Sequence, residues 1–211
     1  MNSRKTLLKE SRLYLIIDKK ISGQNSIFDI VSRLSGSGTD IIQFRDKGSK
    51  KEDILRNAFL IRRLLLKSKN LFIINDYLDI AKLVDSDGVH LGQCDTPIEI
   101  ARRILGKDKI IGISCHNLKQ ALQAQTKGAD YIGIGPIFAT PTKPKYEPIG
   151  LDLIKVLKKK IKIPFFVIGD VNLNNINRVL SAGAERVAVC RAILQAKNMS
   201  SAIRDFSRLL R

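Results

Sequence analysis

The residues of this sequence that could do chemistry gather where short apolar runs end. Gln43, Arg45 and Lys47 occupy alternate positions of "QFRDK". An extended backbone would carry this amide, guanidinium and ammonium on one side, with Phe44 and Asp46 on the other. Arginine grips phosphate oxygens through paired N–H groups, and lysine adds a compact charge. "NDYLD" and "HLGQCD" close successive runs with Asp76 and Asp95. Two carboxylates converging beside a diphosphate would hold a hard cation, because Mg2+ takes one or two carboxylates together with phosphate oxygens and waters. Each acid also has a plainer reading: Asp76 as the N-cap of a helix over "YLDIAKLV", and Asp95 as a turn residue before Thr96–Pro97.

Further along, "GPIFATPTKPK" (135–145) sets two threonines and two lysines among three prolines, directly after an apolar run. A mere connection has no need of clustered cations, paired hydroxyls and fixed φ angles together. Ile137 and Phe138 would anchor its apolar start. His90, Ser114 and His116 also fall near run ends. The two histidines read either as acid–base groups or as hydrogen-bonded structural residues at the rim. Cys94, Cys115 and Cys190 are odd in number and lack metal-type spacing, so they read as reduced, small core residues.

Eight β-branched runs must position these groups: 13–18, 40–44, 71–75, 87–91, 109–114, 130–135, 163–169 and 185–190. Their lack of polar alternation predicts strands buried on both faces. In stretches between them, such as "EDILRNAFLIRRLLLK" and "LDLIKVLKK", apolar residues recur at three and four positions and predict helices with one buried face. "KGAD" (127–130) and "AGAE" (182–185) put glycine just beyond a helix and lead into a strand. Thr96–Pro97 reads as an N-cap followed by proline at the first helical position. Regular alternation over 211 residues predicts an α/β fold, a single (β/α)8 TIM barrel over 13–211 with 1–12 as an N-terminal extension. A doubly wound open sheet is the alternative, and eight evenly spaced units argue against it. In such a barrel the C-terminal strand ends carry the chemistry. The polar residues named above lie there, joined by Asp18, Asn75, Gly169–Asp170 and Cys190–Arg191.

Charge bounds the partners. A balance of 37 Lys+Arg against 20 Asp+Glu, net +17, would attract polyanions. Many of these cations lie on helix-like stretches as solvated faces. With no tryptophan and 6% aromatics, base-stacking platforms are few, so nucleic acid is not the expected partner. No apolar run reaches the roughly 18 residues that cross a bilayer, and "LYLII" is too short for a signal peptide. A cytoplasmic protein of small-molecule partners is expected, compatible with a homo-oligomer.

Together, "QFRDK", "IINDYLD", "GVHLGQCD", "GISCHN" and "GPIFATPTK" resemble the successive strand-end motifs of the thiamine-phosphate synthase family. The resemblance runs in order from about Tyr14 to the final barrel helix. It implies that an aminopyrimidine carrying a diphosphooxymethyl group loses pyrophosphate, and that the ring nitrogen of a thiazole phosphate takes its place. It further implies dissociative chemistry through a pyrimidine-methylene cation, with Mg2+ as cofactor. Carried over by position, Gln43, Arg45, Lys47 and Asn75 would hold the pyrimidine diphosphate, and Asp76 and Asp95 the magnesium. Ser114 and Lys143 would contact the diphosphate, and Thr140 and Thr142 would border the thiazole phosphate. Arg45, Lys47, Ser114 and Lys143 are thus the catalytic candidates, and Gly169, Asp170, Cys190 and Arg191 would form the thiazole-phosphate end.

Two departures stand out. The family usually reads Gly-Gly-Ile where this chain has Gly169–Asp170–Val171, and commonly serine where it has Arg191. If the two strand ends meet at one pocket, Arg191 would either pair with Asp170 or add its charge to the phosphate site, and the two changes would compensate. Three competing readings remain at this point: a thiazole tautomerase of the same family, another phosphate-binding barrel such as a sugar-phosphate isomerase, and a basic barrel binding nucleic acid without catalysis.

Overall fold

The structure is a computed structural model that describes residues 4–23, 25–34, 37–141 and 146–211. Eight parallel strands close into a barrel in sequence order, confirming the TIM barrel. They are β1 Leu13–Asp18, β2 Ile41–Arg45, β3 Leu71–Asn75, β4 Gly88–Leu91, β5 Ile110–Cys115, β6 Tyr131–Ile134, β7 Phe165–Val167 and β8 Val187–Val189. Closure comes where Leu13, Tyr14 and Leu15 pair with Val187, Ala188 and Val189.

Alternation operates within the apolar runs, sorting residues between two apolar faces. Leu13, Leu15 and Ile17 of β1 and Ile42 and Phe44 of β2 face outward. There they pack with Ile54, Ala58, Ile61 and Leu65 of the helix Lys51–Leu65. Tyr14, Ile16, Ile41, Ile73, Tyr131 and Phe166 face inward and fill the barrel. The N-terminal segment joins this interior: the helix Arg4–Glu10 inserts Leu8, 2% exposed, into the floor. Residues expected as an extension therefore complete the core.

Three local details differ from or sharpen the sequence reading. β7 and β8 are shorter than 163–169 and 185–190, because Gly169 turns to φ 115 and the two strands pair only at Val167 and Val187. Pro97 is the N-cap residue itself, not the first helical residue, and its carbonyl accepts from Ala101 N at 3.0 Å. The helix Ile98–Leu105 has no side-chain cap, so Thr96 does not serve as one. The glycine stops hold: Gly128 N donates to Gln125 O and Ala129 N to Ala124 O, the paired bonds of a Schellman ending. Among the described residues, no helix is long and apolar enough to cross a membrane.

Candidate active site

The C-terminal strand ends surround a cleft that opens to solvent. Asp18, Gln43, Arg45, Asn75 and Ser114 give it a polar wall, and Ile16, Phe166 and Ile168 an apolar one. Gln43 and Arg45 both face this cleft, as their alternate positions in β2 require. Lys47 reaches the site by another route. β2 ends at Arg45, and Asp46 Oδ1 accepts the N–H groups of Gly48 and Ser49 at 3.1 Å each. This turn breaks the extended geometry and carries Lys47 away from the shared wall. Its Nζ lies 2.7 Å from Asp76 Oδ2.

Arg45 is ion-paired with the buried Asp18. The other Asp18 oxygen accepts from Lys20 N at 3.0 Å and Ile21 N at 3.3 Å, capping the helix Lys19–Ser22. Asp18 thus fixes the guanidinium that faces the cleft.

Asp76 and Asp95 converge. Asp76 caps nothing: Tyr77 holds the N-cap position of the helix Leu78–Leu83, without a side-chain bond. Instead Asp76 takes the left-handed backbone region at φ 63, with its amide donating to His90 O at 2.9 Å. Asp95 is the turn residue the sequence allowed, its Oδ2 accepting from Gly92 N at 2.6 Å. Its carboxylate also acts on that of Asp76. Burial pushes the Asp76 carboxyl above its ordinary range; Lys47 pulls it down and Asp95 pushes it further up. Two carboxylates against one ammonium leave a surplus of negative charge, which a cation would relieve. The pair could hold a Mg2+ ion, whose remaining oxygens would come from phosphate and water.

Beside this pair, Asn75 lines the cleft, and its buried Nδ2 has no hydrogen-bond partner among the described residues. A buried amide N–H without a partner carries a desolvation cost, so this group is built to meet an acceptor from outside the chain. Ser114 Oγ lies 2.9 Å from His90 Nε2. His116 is a rim residue, with Nδ1 2.6 Å from Gly135 O and its ring 4.4 Å from that of Tyr146.

The proline-rich loop starts firmly. Ile137 is buried and donates its N–H to Ile168 O at 2.8 Å, while Phe138 N donates to Gly169 O at 3.2 Å. The Arg178 guanidinium stands 5.4 Å over the Phe138 ring. Thr140 lines the cleft; Thr142 and Lys143 lie outside the described residues.

At the opposite side of the mouth, Gly169, Asp170, Cys190 and Arg191 all line the cleft, and Arg191 is ion-paired with Asp170. Asp170 has φ 51, and its carbonyl accepts from Asn172 Nδ2 at 3.0 Å and Asn175 Nδ2 at 2.9 Å. Gly169 has no room for a side chain, because a Cβ would fall 2.4 Å from Pro136 Cα. The Cys190 thiol is pushed up to about 12, chiefly by burial and then by Asp18, so it is no nucleophile near neutrality. Cys115 sits in the core, but Cys94 is exposed and departs from the core reading. It belongs to the polar turn closed by Asp95.

Sequence reasoning passed over Tyr14 and Tyr131, which fill the barrel interior and line the inner end of the cleft. Their signal was available: a tyrosine at an inward position beside an inward glycine. Gly112 pairs with Tyr131, and a Cβ there would fall 2.0 Å from the Tyr131 ring.

Comparison with known proteins gives this geometry its relatives. The family model described as "Thiamine monophosphate synthase" matches residues 13–193. The chain is 40% identical to a thiamine-phosphate synthase of Halalkalibacterium halodurans over 204 residues, covering 96% of this chain and 97% of that protein. It is 39% identical over 210 residues to one from Thermosynechococcus vestitus, covering all of this chain and 59% of that longer relative. A solved thiamine phosphate pyrophosphorylase from Pyrococcus furiosus superposes with a TM-score of 0.86 at 32% identity, covering 98% of this chain and 96% of that one. A matched barrel, a matched family model and relatives of this closeness agree, and the chain belongs to the thiamine monophosphate synthase family.

Proposed function

We propose that this transferase joins an aminopyrimidine methyl diphosphate to a thiazole phosphate, releasing pyrophosphate and giving thiamine phosphate. The observation that carries this reading is the carboxylate pair Asp76 and Asp95 standing next to the donor-lined wall of one cleft. Pyrophosphate departure develops negative charge, and fixed donors aimed at that charge lower the barrier. Arg45, Lys47, Asn75 and Ser114 would supply such donors to the diphosphate oxygens. Asp76 and Asp95 would hold Mg2+, which supplies Lewis-acid stabilisation of the leaving group. Ile16, Phe166 and Ile168 would keep water from the cationic pyrimidine carbon until the thiazole nitrogen attacks. The neutral Cys190 thiol argues against a covalent enzyme intermediate through that residue.

At the other side of the mouth, Arg191 would turn from Asp170 toward the thiazole phosphate. The departure from glycine and serine would then act as a matched pair. The test is to incubate purified protein with both substrates and Mg2+ and assay thiamine phosphate and pyrophosphate. Stoichiometric formation of both supports the reading. Isomerisation of a thiazole carboxylate phosphate with no pyrophosphate release would assign the tautomerase reaction instead.

A further inference from the structure

A chain of side-chain hydrogen bonds crosses the barrel interior below the cleft. Gln43 Nε2 donates to Tyr14 OH at 2.6 Å, and the Tyr14 and Tyr131 hydroxyls are 2.7 Å apart. Tyr131 OH lies 2.9 Å from His90 Nδ1, and His90 Nε2 lies 2.9 Å from Ser114 Oγ. Gln43, Tyr14 and Tyr131 are at most 2% exposed, so water does not compete for these bonds. Interior glycines leave room for both rings. A Cβ on Gly112 would strike Tyr131, and one on Gly133 would stand 3.3 Å from His90 Cε1.

The direction of such a chain is set at its end. Burial raises the pKa of both phenols, so each keeps its single proton near neutrality. A phenol that accepts from one neighbour passes its proton to the other. With the Gln43 N–H directed at Tyr14, Tyr14 donates to Tyr131, and Tyr131 donates to His90 Nδ1. A neutral His90 then carries its proton on Nε2 and donates to Ser114 Oγ. The Ser114 proton is left to point elsewhere. With the Gln43 amide reversed, every bond would run the other way and the Ser114 proton would be held by His90. Shape alone does not separate the two orientations, because amide oxygen and nitrogen are nearly the same size; the partners decide.

An ionised phosphate oxygen accepts and does not donate, so only the first orientation suits an anionic oxygen at Ser114. We propose that Gln43, Tyr14, Tyr131 and His90 form a one-way relay of hydrogen-bond polarity that keeps the Ser114 hydroxyl a donor toward the substrate diphosphate. Gln43 and the two tyrosines are then positioning residues, acting through His90. The identity of the anion rests on the function proposed above, while the direction of the relay does not.

Two measurements test this. The chain has two histidines, so 15N-histidine labelling with His116→Gln as the assignment variant isolates His90. The otherwise unmodified protein, with and without inorganic pyrophosphate and Mg2+, should show His90 protonated on Nε2 and bare on Nδ1. A proton on Nδ1 in the pyrophosphate-bound protein would overturn the relay, whatever reaction the protein performs. The second measurement is a double-mutant cycle in product formation. Tyr131→Phe keeps the ring and removes the link. It should lower kcat/KM for the pyrimidine diphosphate about tenfold, the worth of one hydrogen bond to a charged group, with KM for the thiazole phosphate little changed. Added to Ser114→Ala it should cost little more, because both break one path. Losses that simply add would make Tyr131 a packing residue and refute the relay. If the unmodified protein forms no product, the proposed function fails, and the tautomer still decides the relay.

Discussion

The two ends of this barrel treat their carboxylates differently. At the floor, Asp87, Asp130 and Asp40 are each bound to backbone and matched with cations. Asp87 accepts from Phe72 N and meets Arg4 and Arg62. Asp130 accepts from Ile111 N and meets Lys5 and Arg102. Asp40 accepts from Arg12 N and Leu13 N. At the mouth, Asp76 pairs with the Lys47 ammonium and also feels the Asp95 carboxylate, while Asp170 and Arg191 form a single pair within the cleft. The backbone makes the contrast sharper. Among the described residues, three that are not glycine take the left-handed region, all aspartates: Asp85 at the floor, and Asp76 and Asp170 at the mouth. The Lys109 ammonium holds the Asp85 carboxyl below its usual range, whereas burial and a second carboxylate hold that of Asp76 above it. Floor carboxylates are spent on the fold. Mouth carboxylates keep an imbalance that a ligand would resolve.

Breaking the mouth should show in activity, and most at the acidic pair. Asp76→Asn or Asp95→Asn should lower kcat about 100-fold or more in steady-state pyrophosphate release, the scale expected when Lewis-acid stabilisation is lost. Unfolding by heat should be little affected by Asp76→Asn, because the exchange also relieves a crowded charge. At the opposite side of the mouth, Arg191→Ser should raise KM for the thiazole phosphate about tenfold, leaving Asp170 uncompensated beside an anion. Adding Asp170→Gly should recover part of that loss. Glycine takes the positive φ without strain, and the exchange removes the stranded charge. Equal loss in the single and double variants would show that the two positions are not coupled.

Breaking the floor should show in stability. Leu8→Ala should cost about 2–4 kcal/mol in denaturant unfolding, the range for a buried leucine, with catalytic constants in the surviving folded protein unchanged. The smallest effect is expected at Asp85→Asn. The depressed Asp85 carboxyl contributes stability that is present above its unfolded pKa of 3.8 and is lost as pH falls through its lower folded value. The side chain is 70% exposed, so the contribution is screened to below about 1 kcal/mol. A melting-temperature shift of at most about 3 °C near neutral pH, shrinking toward pH 3, is expected with unchanged turnover.

The sequence made the mouth far more legible than the floor. Strand-end position alone brought Gln43, Arg45, Asn75, Ser114, Thr140, Asp170 and Arg191 to one cleft. The Asp76–Asp95 contact followed from adjacent strands. Lys47 was misplaced by strand alternation because Asp46 folds the chain into a turn one residue after β2. The helical N-cap reading of Asp76 failed because Tyr77 takes that position and Asp76 turns left-handed. The floor ion pairs were hidden because each joins residues far apart in the chain, such as Arg4 with Asp87. Tyr14 and Tyr131 escaped for a related reason. In runs apolar on both faces, only the glycines opposite them mark which face is crowded.

The central claim is that the paired carboxylates of the mouth recruit a divalent cation for a diphosphate. Calorimetric titration of the protein with inorganic pyrophosphate, with and without Mg2+, tests it most directly. The account predicts binding at least about tenfold tighter with Mg2+, a gain that disappears when Asp76 and Asp95 are both changed to asparagine. Equal affinity with and without Mg2+, or a gain that survives the loss of both carboxylates, would contradict it.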